Sequence, residues 1–105
     1  MAQFSVYRNK DKGTQAHTPL VLDVQSDLIV DLTTRVVIPL RLATALNGQI
    51  MQILTPKCEI ENNVYVIITP QLAGISIKQL GEKVADLSQQ RDDIIAALDL
   101  LLTGI

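Results

Sequence analysis

Apolar and polar positions change period once along this chain. Up to residue 80 they alternate in short runs; beyond residue 88 apolar positions recur at helical spacing. In 3–8, Phe4 and Val6 fall on one face and Ser5 and Tyr7 on the other, which predicts a half-buried strand. Residues 9–19 are polar and read as an exposed loop. In 19–25 (PLVLDVQ), Leu20, Leu22 and Val24 share one face of a second strand. The run RVVIP at 35–39 predicts a short third strand stopped by Pro39, whose nitrogen has no hydrogen to give a ladder. The Ala and Leu mixture of 40–52 predicts one or two helical turns. Residues 56–61 and 64–69 flank Asn62-Asn63; Asn tolerates positive φ, so the pair predicts a tight hairpin. Residues 73–80 alternate again, with Ile75 and Ile77 on one face, and Gly81 is expected to end that strand.

The last segment predicts a helix over 88–103. Ile94, Leu98, Leu101 and Leu102, with Ile95 beside them, form its apolar stripe. Asp86 or Ser88 can cap its start, Asp92 and Asp93 suit the positive end of its dipole, and Gly104 can end it in a left-handed conformation. Several short strands followed by one helix make a small, mainly β domain closed by a C-terminal helix.

Composition narrows the function classes. Hydrophobic residues are 48% of the chain and aromatic ones 3%, so the core is aliphatic and disorder is excluded. The three aromatics Phe4, Tyr7 and Tyr65 are too few for a platform that stacks several bases. Nine basic against eleven acidic residues, net charge −2, do not suit a strongly electrostatic nucleic-acid binder. The one Cys excludes an internal disulfide and fits a reducing compartment. No apolar run approaches the ~18 residues of a membrane span, and 1–10 lacks a signal-peptide pattern. The expectation is one soluble, cytoplasmic domain over 1–105.

Catalytic signatures are scarce. His17, the single histidine, lies in the polar loop, and Ser5, Ser26, Ser76 and Ser88 have no nucleophile context. Cys58 in a predicted strand reads as a small buried hydrophobe. One His and one Cys do not build a zinc site. Asp23, Asp27 and Asp31 are spaced by four, but the strand reading of 19–25 breaks the helical geometry that would join them, leaving turn-forming residues. No GxGxxG or P-loop pattern occurs. Arg8, Lys10 and Lys12 form a small basic group expected in the exposed loop, able to meet an acidic partner segment. The helix is more broadly apolar than one stripe requires, which suits a homodimer seam or a docking surface.

Five blocks carry a family resemblance: Gln3-Phe4 with Val6-Tyr7, the run 23–27 (DVQSD), 37–40 (VIPL), 84–88 (VADLS) and the terminal Gly104-Ile105. In this order and spacing they resemble the CcdB toxins, from residue 3 to the last residue. The resemblance implies an SH3-like, partly open antiparallel β-barrel with a C-terminal α-helix, acting as a homodimer without cofactor, metal or catalysis. It implies a toxin of a type II toxin–antitoxin system, of the kind used in plasmid maintenance. Such toxins bind the A subunit of DNA gyrase and trap the enzyme with cleaved DNA. A CcdA-like antitoxin, disordered in its C-terminal part, wraps and neutralises them; DNA is reached only through gyrase or the antitoxin complex.

Carried over residue by residue, the gyrase-contacting pattern is matched by Gln3, Phe4, Ser26, Ile29, Gly104 and Ile105. Three further positions depart. Leu28 stands where the best-known members carry Ile, Asp99 where they carry Asn, and Thr103 where they carry Trp. The family Trp stacks on a gyrase arginine, a cation–π contact that Thr cannot supply. The family habit of antitoxin wrapping, added to the charge group, points to Arg8, Lys10 and Lys12 as antitoxin contacts. Two other readings compete. An endoribonuclease toxin of the MazF or Kid type uses the same fold, and Arg35 and Arg41 would be its cations, but no acid/base pair accompanies them. A homologue that binds antitoxin without poisoning gyrase would account for Thr103.

Overall fold

The computed structural model describes residues 2–29, 32–46 and 52–104. Seven antiparallel strands form one curled sheet: β1 Ser5–Asn9, β2 Leu20–Asp23, β3 Thr34–Leu42, β4 Lys57–Ile60, β5 Asn63–Ile67, β6 Ala73–Ser76 and β7 Leu80–Asp86. Six follow the order β4-β5-β3-β2-β1-β7, and β6 pairs with β3 beside that path. With the helix α1, Arg91–Thr103, this is the expected half-open, SH3-like barrel with a C-terminal helix.

The two-residue period of the strands sorts side chains into two cores. Val6, Leu20, Leu22, Ile38 and Leu40 enter the main one, with Phe4, Val24 and Cys58. Their chain neighbours Tyr7, Val21 and Val37 enter a smaller cluster with Leu80 and Ile75. β1 is thus buried on both faces rather than one. The helix lays Ile94 and Ala97 fully into the interior and packs Ile95 and Leu98 against the main core.

The predicted helix is confirmed with one refinement: Ser88–Gln90 is a 3-10 turn that leads into α1. Neither Asp86 nor Ser88 caps α1, whose N-cap is Gln90 with no side-chain hydrogen bond. Instead the Asp86 carboxylate accepts the Ser88 N–H at 2.8 Å just before the 3-10 turn, and the hydrogen bonds from Ser88 hold Asp86 below the usual carboxylate range. Asp92 and Asp93 lie in the first turn. Gly104 (φ 75°, ψ 19°) ends the helix, its N–H donating to the Leu100 carbonyl at 3.0 Å.

Several boundaries differ from the expectations. Pro39 does not stop β3, which runs on to Leu42. Its carbonyl accepts from Ile68 N, so its nitrogen points the same way, into the gap where β3 exchanges β6 for β5 as neighbour and no N–H is needed. Within 40–52, only Ala43–Ala45 is a described helical turn; residues 40–42 are strand and 47–51 lie outside the described residues. The hairpin turn is Glu61-Asn62 (φ 53° and 67°), one residue earlier than expected, and Asn63 pairs with Ile60. Two consecutive positive φ values are what a right-twisted two-residue hairpin requires. Gly81 does not end a strand. β6 ends at Ser76, Ile77–Gln79 is a 3-10 turn, and Gly81 lies inside β7 against β1. Ile77 consequently leaves the face of Ile75 and is exposed.

Candidate functional site

Segment 24–29 follows β2 and is held from two sides. On one side, Gln3 Nε2 donates to the Val24 carbonyl at 3.1 Å, and the Gln3 N–H donates to Asp27 Oδ1 at 2.7 Å. On the other side lies Arg35 of β3. Its Nε and Nη2 both reach Asp23 Oδ2, at 2.9 and 2.8 Å, and Nη2 also donates to the Gln25 carbonyl at 3.3 Å. Asp23 and Arg35 are both buried. Burial pushes the Asp23 carboxyl above its ordinary value, and the Arg35 guanidinium and Gln25 N–H pull it back only in part. Within the segment the Leu28 N–H donates to Ser26 Oγ and the Ile29 N–H to the Ser26 carbonyl, each at 3.1 Å. The result is a turn with a fixed backbone that carries Leu28, 93% exposed, and Ile29, 48% exposed.

The helix end is the second apolar, solvent-facing feature. Leu102 is 72% exposed, and Asp99, Thr103 and Gly104 are exposed around it. Thr103 Oγ1 donates to the Asp99 carbonyl at 2.7 Å, one turn back, so the hydroxyl is already engaged by its own helix. No atom lies within 4 Å of where a Gly104 Cβ would stand.

The residues assigned to gyrase contact therefore fall into three settings. Gln3, Ser26, Leu28 and Ile29 come together at one end of the sheet through the hydrogen bonds above. Asp99, Thr103 and Gly104 share the last turn of the helix. Phe4, by contrast, is only 4% exposed and belongs to the main core, with φ 69°. That conformation lets β1 begin immediately after the chain has donated Phe4 N–H to the Asp23 carbonyl and accepted Leu87 N–H on its own carbonyl. Phe4 thus underlies the surface rather than forming it. Ile105 lies outside the described residues.

The basic group is placed differently from the loop expectation. Arg8 belongs to β1, and its guanidinium meets Glu61 at 3.0 Å and Glu82 at 3.5 Å. Lys10 and Lys12 follow at the start of the loop. All three line one open groove of about 620 Å³ with Gln15, Leu80 and Glu82. His17 is exposed, and Cys58 is buried. Asp23 is not a turn residue but the buried partner of Arg35, while Asp31 lies outside the described residues. The commitment of Arg35 to Asp23 also removes it from any phosphate-facing role of a ribonuclease.

Sequence reasoning did not pair Asp23 with Arg35, although both residues carry a signal. Each is a charged residue in an otherwise apolar strand run, PLVLDVQ and RVVIP, and a charge buried there requires an opposite partner. Among the described residues no helix is long and apolar enough to cross a membrane, and no group of three or more His, Cys, Asp or Glu is arranged to hold a metal ion.

Comparison with known protein families matches residues 3–104 to the family described as CcdB protein. Its members act by binding rather than by catalysis, as homodimers whose partners are gyrase A and a CcdA antitoxin. With nearly the whole length matched and the half-open barrel and terminal helix in place, this chain belongs to the CcdB family, the gyrase-poisoning toxins of type II toxin–antitoxin systems.

Proposed function

We propose that residues 1–105 act as one toxin domain that docks on gyrase A through two features, the Leu28–Ile29 turn and the last turn of the helix. Leu28, Ile29, Asp99, Thr103, Gly104 and Ile105 make the contact. Gln3 and Ser26 hold the turn, and Phe4 supports it from the core. The observation that carries this reading is the pairing of extreme exposure with a fixed backbone at Leu28. An apolar side chain held out in water by a hydrogen-bonded turn is preorganised for a partner, because little ordering is left to oppose binding. Gly104 adds a backbone that a partner surface can approach closely.

Arg8, Lys10 and Lys12 form the antitoxin contact, supported by their common groove. Lys10 and Lys12 offer the freer charges, since Arg8 already meets two glutamates. A disordered acidic segment laid along this groove would exchange those glutamates for its own carboxylates.

The two surfaces are tested separately. Leu28→Asp and Gly104→Arg should each abolish binding to purified gyrase A while leaving the thermal melt within a few degrees of the parent. Replacing Lys10 and Lys12 with Ser should weaken antitoxin binding and spare gyrase. Thr103→Trp should tighten gyrase binding by about 1 kcal/mol, the scale of a cation–π contact. Parent-like gyrase affinity for both Leu28→Asp and Gly104→Arg would place the docking surface elsewhere.

A further inference from the structure

We infer that Gln25 and Arg35 are positioning residues for gyrase docking: they touch no partner themselves and set the conformation of the Leu28–Ile29 turn from beneath. The inference deepens the docking reading above and rests on it for its functional half.

The geometry is that of a clamp. Gln25 is buried, and its side-chain amide spans the gap between sheet and turn. Oε1 accepts the Val36 N–H at 3.1 Å on β3, while Nε2 donates to the Ile29 carbonyl at 3.4 Å on the turn. Its backbone N–H donates to Asp23 Oδ1 at 3.0 Å, and its carbonyl accepts from Arg35. Arg35 then reaches beyond the buried pair, with Nη2 3.8 Å from Asp27 Oδ1, the same oxygen that receives the Gln3 N–H. One guanidinium therefore ties together β2, the turn and, through Asp27, the N-terminal segment. Of the Gln25 bonds, the one from Nε2 ends on the turn at the Ile29 carbonyl, while the others anchor Gln25 to β3 and to the buried pair, so the turn is held against a fixed support. Fixing a docking element in its bound conformation raises affinity by lowering the ordering cost. The planar fork of Arg can serve several acceptors at once, which a Lys ammonium on its flexible stem does not do in the same geometry.

The test uses the full chain and two variants. Gln25→Met keeps the side chain's length and removes its hydrogen bonds. Arg35→Lys keeps a positive charge against Asp23 and gives up the fork. Amide exchange by NMR is read at Ile29 and, as a reference, at Val6 in the core. Affinity for purified gyrase A is measured in parallel. The expected result is at least tenfold faster exchange at Ile29, unchanged exchange at Val6, and at least tenfold weaker gyrase binding. A merely structural role would move both amides together, which would overturn the inference. So would Ile29 exchange within twofold of the parent in both variants, or faster exchange with gyrase affinity unchanged while Leu28→Asp abolishes binding. Parent-like binding by Leu28→Asp would overturn the docking reading instead, and Ile29 exchange would still decide whether the clamp sets the turn.

Discussion

Cys58 shows how far a single residue's environment sets its chemistry. It lies on β4 within the main core, 5% exposed, and burial pushes its thiol from an ordinary 9.0 up to about 11. The folded state therefore favours the protonated thiol. The stability this group contributes is full below pH 9.0 and is lost as pH rises through about 11. At pH 8 the folded protein should alkylate with iodoacetamide at least about a hundredfold more slowly than the urea-unfolded chain, since the raised thiol pKa alone removes that much thiolate. Equal rates in the two states would mean that the thiol is not enclosed. The inert, buried reading of Cys58 was open to sequence reasoning because its neighbours alternate. The role of Asp23 was not, because its partner Arg35 is twelve residues away and only the β2–β3 pairing brings the two together.

At the scale of elements, alternation located β1, β2 and the start of β6, an apolar run located β3, the Asn62-Asn63 turn signal located β4 and β5, and helical spacing located α1. β7 left no such trace. Among the described residues it is an edge strand bonded to β1 alone, and LGEKVAD exposes Glu82 and Lys83 in succession. Charges on an edge discourage pairing with other chains, and they also mask the strand's period. Gly81, expected to be a terminator, is a spacing residue within it. A Cβ there would stand 3.0 Å from the Arg8 carbonyl oxygen and 3.2 Å from Lys10 Cγ. Gly81→Ala therefore requires the Arg8 backbone and Lys10 to give by a few tenths of an ångström, and the expected cost, with the backbone carbonyl the tightest contact, is about 1–3 kcal/mol. A thermal melt should show the midpoint falling by at least ~4 °C. An unchanged midpoint would show that β1 and β7 can separate freely at this point. The shifted hairpin turn has a similar origin. Asn62-Asn63 marked the region correctly, but Ile60 and Asn63 form the last pair, so the left-handed positions fall on Glu61 and Asn62.

At the scale of the molecule, CcdB family membership makes the functional unit a homodimer, and the docking we propose would present two copies of each feature to gyrase. Sedimentation equilibrium at micromolar concentration should give a mass near twice 11.5 kDa; a monomer would remove the two-copy mechanism. Leu28 and Leu102 are the most exposed of the large hydrophobic residues described. The family and its fold were legible from five short sequence blocks. The division of the candidate site into contacting and supporting residues was not, because the burial of Phe4 and the clamp of Gln25 and Arg35 exist only once the strands are paired. The central claim is that this chain poisons gyrase through the turn and the helix end. The most direct measurement incubates the purified protein with gyrase, supercoiled DNA and ATP, then adds detergent and protease and quantifies linear DNA. The parent protein should raise linear DNA in proportion to its concentration. Leu28→Asp and a chain lacking Ile105, both folded by thermal melt, should leave it at the level of gyrase alone. Parent-level cleavage by both variants, or no cleavage by the parent, would contradict the account.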